Sequence, residues 1–200
     1  MRIIGGRLGG RVIKVIDSPG LRPATGRVRE ARFSMLAARG ALFHGARVLD
    51  CYAGAGSVGI EALSRGAGKA VFIERSPAVA KVLKDNLRGL GLGPDVAQVV
   101  EADVLKALGR LSGGYFDLIA IDPPYGQDLL PPTLAKIAAL DLIAPGGVVV
   151  AEIEAGLDLP EAAVPPVFDC LTDRTYGQTR IILWTPKNPA SPSTPEPSIP

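Results

Sequence analysis

The segment Leu118-Ile-Ala-Ile-Asp122-Pro123-Pro124-Tyr125 holds the residues of this 200-residue chain best suited to chemistry. A hydrophobic run ends in an acid, two rigid prolines and an aromatic ring. An amino group conjugated to a ring is a poor nucleophile, because its lone pair is delocalised. Two acceptors that hold both N–H groups correct this, and the Asp122 carboxylate and the Pro123 backbone carbonyl form such a pair. They would draw the nitrogen toward tetrahedral geometry and aim its lone pair at a sulfonium methyl. Proline suits the place because it fixes the backbone and brings no competing N–H. Tyr125 offers a face on which a base stacks, a contact worth ~1–3 kcal/mol. The simpler reading is a proline-rich turn that closes a strand, with Tyr125 as its lid.

A second segment, Val48-Leu-Asp50-Cys-Tyr52-Ala53-Gly54-Ala-Gly56-Ser-Val-Gly59, reads as a buried strand, a glycine turn and a helix start. Gly54-x-Gly56-x-x-Gly59 matches the dinucleotide fingerprint, and Glu74 stands 18 residues beyond Gly56, near the expected ribose-binding acid. Asp50, however, makes the pattern Asp-x-x-x-Gly-x-Gly, which resembles an S-adenosylmethionine loop. An acid there suits a cofactor whose amino-acid end carries an ammonium and would repel a pyrophosphate. Glycine amides and a helix N-terminus are then expected to receive the carboxylate. Glu74 ends the next strand, and Asp103 stands just beyond the third. In a parallel sheet those ends line one crevice, which places Glu74 for both ribose hydroxyls and Asp103 for an adenine amino group. Their neighbours Arg75 and Val104, with Tyr52 and Ala53, complete the expected cofactor set. Helix capping is the ordinary alternative for the acids.

Apolar periodicity supplies the elements that position these residues. Residues 2–4 and 11–16 read as a hairpin. The stretch from Arg27 to Arg39 suits a helix packed through Val28, Ala31, Phe33, Met35 and Leu36, with its arginines outward. Strands are expected at 47–52, 70–74, 96–101, 116–121 and 148–152. Helices are expected at 57–65, from the Ser76-Pro77 cap to about 90, at 104–111 and at 133–142. Short apolar strands alternating with helices predict a parallel sheet covered on both faces. Two β-rich runs, 167–172 and 179–184, read as an antiparallel pair around Tyr176-Gly177. Residues 186–200, six of them proline, read as a disordered tail. The domain reading is therefore a basic segment over 1–45, a core over 46–185 and the tail.

Composition narrows the function classes. Hydrophobic residues make up 47% of the chain, enough for a sizeable core. No apolar run reaches the ~20 residues of a membrane span. Met1–Arg7 lacks a secretory h-region, so a cytoplasmic location is expected. With Cys51 and Cys170 alone, a disulfide scaffold and a four-cysteine zinc site are excluded, and with His44 as the single histidine no metal is expected. His44 reads as a cap or surface residue and Cys51 as a buried one. The net charge of +2 conceals an asymmetry: residues 1–47 carry ten Lys/Arg against two acids. Nine of those ten are arginine, whose planar fork suits phosphates and base edges. A basic segment on a mildly acidic body fits a nucleic-acid binder with a separate small-molecule pocket. A solvated charged face is the plain alternative.

Asp-Pro-Pro-Tyr with this glycine loop resembles the amino-methyltransferases that act on nucleobases. More narrowly, the chain is similar to the bacterial RsmD-type family, which methylates N2 of one guanine in 16S ribosomal RNA. The similarity runs from Met1 to Trp184 and includes Met1-Arg-Ile-Ile-Gly-Gly, Leu21-Arg-Pro-Ala-Thr-Gly-Arg-Val-Arg-Glu30, Glu61-Ala-Leu-Ser-Arg-Gly-Ala67 and Tyr176-Gly-Gln-Thr179. The arginine block is the specific part. It departs from the family at Ala24, where Thr is usual, and at Gly26, where Asp is usual. The resemblance implies an α/β, class-I Rossmann-like fold with a mostly parallel seven-stranded sheet and an N-terminal hairpin/helix extension. It implies S-adenosyl-L-methionine as cofactor, with S-adenosyl-L-homocysteine as product. Asp50, Gly54, Gly56, Glu74 and Asp103 then map to cofactor binding, and Asp122 to Tyr125 to the base pocket. Arg7, Arg11, Arg22, Arg27 and Arg29 map to rRNA contact. The implied partner is 16S rRNA within an assembling or assembled small subunit, with no membrane and a monomeric enzyme. An adenine-N6 methyltransferase, a nicotinamide oxidoreductase and a non-catalytic RNA-binding module are the competing readings.

Overall fold

The computed structural model describes residues 1–16, 25–40, 44–111 and 116–187. Their strands are β1 (Arg47–Cys51), β2 (Lys69–Glu74), β3 (Ala97–Glu101), β4 (Phe116–Ile121), β5 (Ile143–Glu154), β6 (Phe168–Tyr176) and β7 (Thr179–Pro186). They form one seven-stranded sheet in the order β3-β2-β1-β4-β5-β7-β6. The first five run parallel, and β7 lies antiparallel between β5 and β6. The strand order reverses between β1 and β4, so the crevice at their carboxyl ends is where such a sheet binds ligands.

Helices α1 (Gly26–Ala38), α2 (Ser57–Ser64), α3 (Pro77–Gly89), α4 (Val104–Leu108) and α5 (Leu130–Ala139) accompany the strands. Strand side chains alternate between the two faces. Val48, Phe72, Ala120 and Val150 pack with α1, α2 and α3, while Leu49, Ile73, Ile119 and Val149 pack with α4 and α5. Both faces are therefore dry, which explains the nearly continuous apolar strands.

Several boundaries differ from the periodicity for local reasons. The α5 helix starts at Leu130 rather than Thr133, with prolines in its first turn, where a missing N–H costs nothing. It ends at Ala139 rather than Leu142, and Asp141 takes a left-handed φ of 49°. The α4 helix stops at Gly109. Pairing continues past the expected end of the core, as the Lys187 N–H donates to the Val167 carbonyl. The remainder of the expected tail lies outside the described residues.

The N-terminal hairpin is much reduced. One bridge joins Arg2 and Val12, flanked by Ile3 N–H to Arg11 carbonyl and Ile13 N–H to Met1 carbonyl. The strands do not lengthen because neighbouring amides donate elsewhere. Ile4 and Gly5 each donate to a Glu61 carboxylate oxygen at 2.8 Å. Leu8 donates to Ser64 Oγ at 2.9 Å, and Lys14 to Asn86 Oδ1 at 2.8 Å. The basic arm is thus tied to α2 and α3 by side chains.

The α1 helix also departs from expectation. Arg29 and Arg32 do not face outward; they are 4% and 1% exposed among Val28, Phe33 and Leu36. Acids from other elements draw them in. Arg29 lies 3.6 Å from Glu61, and Arg32 lies 2.7 Å from Glu152. Glu61, its side chain fully buried, also meets Arg65 at 2.8 Å. Replacing Glu61 by Ala strips two amides and Arg65 of an acceptor and buried Arg29 of its counter-ion at once. Urea unfolding should show a loss of ~3–5 kcal/mol, the usual result of orphaning buried cations. A loss under about 1 kcal/mol, typical of surface pairs, would contradict this role.

Candidate active site

The β1 strand ends at Cys51, and Tyr52 takes a left-handed φ of 60° that turns the chain into the glycine loop. A Cβ on Gly56 would stand 2.4 Å from Leu83, and one on Gly59 would stand 2.3 Å from the Phe72 ring. Gly56 lets α3 approach the loop, and Gly59 lets α2 pack closely on the sheet. Their amides are used internally. Gly54 donates to Glu74 Oε2 at 3.0 Å, Gly56 to the Ala53 carbonyl at 2.8 Å, and Gly59 to Asp50 Oδ2 at 2.8 Å. This corrects the expectation that the three amides await a carboxylate. In the first turn of α2, Asp50 takes the Gly59 amide, while the N-cap Gly56 supplies no side-chain cap.

A cavity of about 190 Å³ opens at the strand ends. Tyr52, Glu74, Arg75, Asp103 and Val104 form part of its wall, and Asp122 and Pro124 form another part. Two sets of residues inferred separately from the sequence therefore share one space. Ser76, Val79 and Leu129 complete the lining and were missed. Ser76 and Val79 follow the strand-end acid and were traceable from it, whereas Leu129 carries no sequence signal. Pro123 and Tyr125 border an adjoining hollow with Ile153, Glu154 and Leu157.

Asp50 and Ala53 stand behind the wall. Asp50 is 1% exposed, with Oδ2 engaged by Gly59 and Oδ1 without a hydrogen-bond partner. Burial raises its carboxyl to about 7. It braces the glycine loop from behind the cavity wall. Ala53 is buried and donates its N–H to the Ile73 carbonyl. Glu74 Oε1 accepts from Ser76 N–H at 2.7 Å, so both of its oxygens are oriented by backbone amides. Asp103 caps α4 through Lys106 N–H at 3.1 Å, the ordinary role weighed for it, while also facing the cavity. Tyr52 donates to Thr133 Oγ1 at 2.7 Å, because the Thr133 hydroxyl itself donates to the Leu129 carbonyl. Burial pushes the Tyr52 phenol up to about 12.

Asp122 follows the last residue of β4. Removal from water and, next, the Glu152 carboxyl raise it to about 8, against the opposing charge of Arg32. Burial and Glu152 therefore favour the protonated form of Asp122 in the free protein, where the sequence suggested a carboxylate. Burial also raises the Tyr125 phenol.

The arginines assigned to RNA separate. Arg7 and Arg27 are exposed. Arg11 is exposed, but its guanidinium donates to the Gly89 carbonyl at 2.6 Å, at the end of α3. Arg29 is buried and donates to the Arg2 carbonyl at 3.0 Å, so it is not an RNA-facing residue. Burial also lowers its pKa. Arg22 lies outside the described residues.

A switch-point crevice lined by strand-end acids, on a sheet whose seventh strand is inserted antiparallel, defines a class-I Rossmann-like methyltransferase. The chain is 37% identical over 184 residues to ribosomal RNA small subunit methyltransferase D of Escherichia coli, covering 92% of this chain and 89% of the relative. It is 33% identical over 178 residues to the Haemophilus influenzae protein of the same name, covering 88% and 89%. The solved structure of yhhF from Escherichia coli superposes with a TM-score of 0.81 at 35% identity, covering 94% of this chain and 98% of that one. The chain belongs to the family described as Conserved hypothetical protein 95, which matches residues 1–185. The resemblance drawn from the sequence blocks is borne out. No helix among the described residues is long and apolar enough to cross a membrane.

The raised Asp122 carboxyl fixes the sign of a stability effect. The unfolded chain ionises it near pH 4 and the folded chain does so near pH 8, so this group opposes folding increasingly across that window. Asp122→Asn should match wild type near pH 4 and exceed it by ~1–3 kcal/mol at pH 8, read from urea midpoints. A gap that does not change with pH would contradict the assignment.

Proposed function

We propose that the chain transfers a methyl group from S-adenosylmethionine to the exocyclic N2 amine of a guanine in 16S rRNA. It acts as a cytoplasmic monomer on the assembling or assembled small ribosomal subunit. One observation carries this reading: Asp122 and Pro124 line the same cavity as Glu74 and Asp103. Similarity to proteins named as small-subunit rRNA methyltransferases supports the substrate class. When bound, the cofactor supplies an electrophilic sulfonium methyl. The residues present fit it. The Glu74 carboxylate, oriented by two amides, keeps lone pairs for ribose hydroxyls. Asp103 spends one oxygen on its cap and keeps the other for an adenine amino group. The N-terminal end of α2, where the N-cap Gly56 brings no side-chain acceptor, favours a carboxylate.

The remaining work falls to the substrate end. Asp122 and the Pro123 carbonyl accept the two N–H groups of the amine and set its lone pair toward the methyl. Burial and Glu152 favour the protonated form of Asp122 in the free enzyme, and positive charge entering the cavity favours release of that proton to solvent. The negative charge then develops where the nitrogen becomes positive. Tyr125 stacks on the presented base. Exposed Arg7 and Arg27 contact phosphates, a role that burial denies to Arg29.

Single-turnover methylation of small ribosomal subunits tests the substrate end. Asp122→Ala should slow the step by about 10²–10³, and Asp122→Asn should slow it less because an acceptor oxygen remains. Tyr125→Ala should impair it, whereas Tyr125→Phe keeps the stacking face and should be tolerated. Wild-type rates in Asp122→Ala would make the Asp-Pro-Pro-Tyr turn merely structural.

A further inference from the structure

Beneath the Asp122 turn lies an ion pair that no step above uses. Arg32 Nη1 meets Glu152 Oε2 at 2.7 Å, with side chains 2% and 4% exposed. The β4–β5 register pairs Ile121 with Ala151, so Asp122 and Glu152 come next, side by side on adjacent strands. Each stands two residues beyond a member of the core packed by α1, Ala120 and Val150 respectively. The two-residue period therefore puts both carboxyls on the α1 face. Among the described residues Arg32 Nε and Nη2 have no hydrogen-bond partner, so Glu152 does not account for all of its donors.

The charged groups around this spot come from every neighbouring element. Arg29 and Arg32 belong to α1, Asp50 to β1, Glu74 to β2, and Glu152 and Glu154 to β5, while Tyr125 belongs to the turn itself. Two adjacent buried carboxyls do not both ionise without a cation beside them.

We propose that Arg32, anchored by Glu152, is a positioning residue that keeps Asp122 available as acceptor for the methylated amine, so that α1 governs the charge of the catalytic turn. This rests on the reading of Asp122 as that acceptor. The directions of the electrostatic effects agree: Glu152 raises Asp122, and Arg32 lowers both. A buried ion pair contributes little net stability and is better suited to fixing one arrangement of charges. It also gives the arginine-rich helix a role in the reaction that requires no contact with RNA.

The test follows the Asp122 carboxyl directly, by ¹³C NMR titration of the free protein with carboxyl-labelled aspartate. The resonance is assigned by its loss in Asp122→Asn. Arg32→Met should raise the Asp122 midpoint by about one pH unit or more, and Glu152→Gln should lower it. Arg32→Lys should return it toward wild type. The pH profile of single-turnover methylation should move in the same directions. Identical midpoints in all variants overturn the proposal, even if their rates fall. If Arg32→Met does not fold, Glu152→Gln decides alone, because it leaves Arg32 an acceptor oxygen; an unmoved midpoint again overturns it. Shifted midpoints in a protein that methylates no subunits would reject the rRNA reading while sustaining control of Asp122 by the pair.

Discussion

Parallel pairing of β1, β4 and β5 delivers Asp50, Asp122 and Glu152 to one rim of the sheet, with Asp50 and Glu152 buried and Asp122 half-buried at the cavity wall. Three acids in such a place repel one another and lose hydration, so some must stay neutral or meet a cation. The molecule does both. Asp50 and Asp122 are pushed well above the usual carboxylate range. Arg32 enters from α1 to face Glu152, and Arg29 beside it faces Glu61. The N-terminal extension is therefore part of the core rather than an appendage. Its amides end on Glu61, Ser64 and Asn86, and its arginines complete the charge balance under the site.

The same crowding suits the chemistry. A protonated Asp122 is less costly to bury than a carboxylate, and under the proposed mechanism the charge opposite a developing ammonium is gained when ligands arrive. Asn86 adds a link on the other side. Its amide donates to the Lys14 carbonyl at 2.9 Å and to the Ala55 carbonyl at 3.1 Å, so one side chain joins the basic arm to the glycine loop.

Much of this architecture was legible in the sequence because dry parallel strands leave unmistakable apolar runs. Asp122 and Glu74 were found because strand ends face one crevice, whatever the side-chain detail. The failures share a cause. Arg29 and Arg32 were read as solvent-facing because charge was taken as exposure. Yet helical spacing already placed Arg32 four residues after Val28 and four before Leu36, on the packed stripe. Their partners, Glu61 and Glu152, are remote in sequence, and no local pattern reveals them. The hairpin was overextended because its amides bond to side chains of α2 and α3, which periodicity does not register. The motif also did not reveal that one Asp50 oxygen accepts from Gly59, nine residues later.

The claim on which the account stands is that one cavity brings a methyl donor to a guanine amine of the small ribosomal subunit. The most direct measurement is mass-spectrometric mapping of 16S rRNA from unmodified small subunits incubated with the protein and isotopically labelled S-adenosylmethionine. The account predicts one labelled methyl on the N2 amine of a single guanine. Label on an adenine amine, or on no nucleotide, would contradict it.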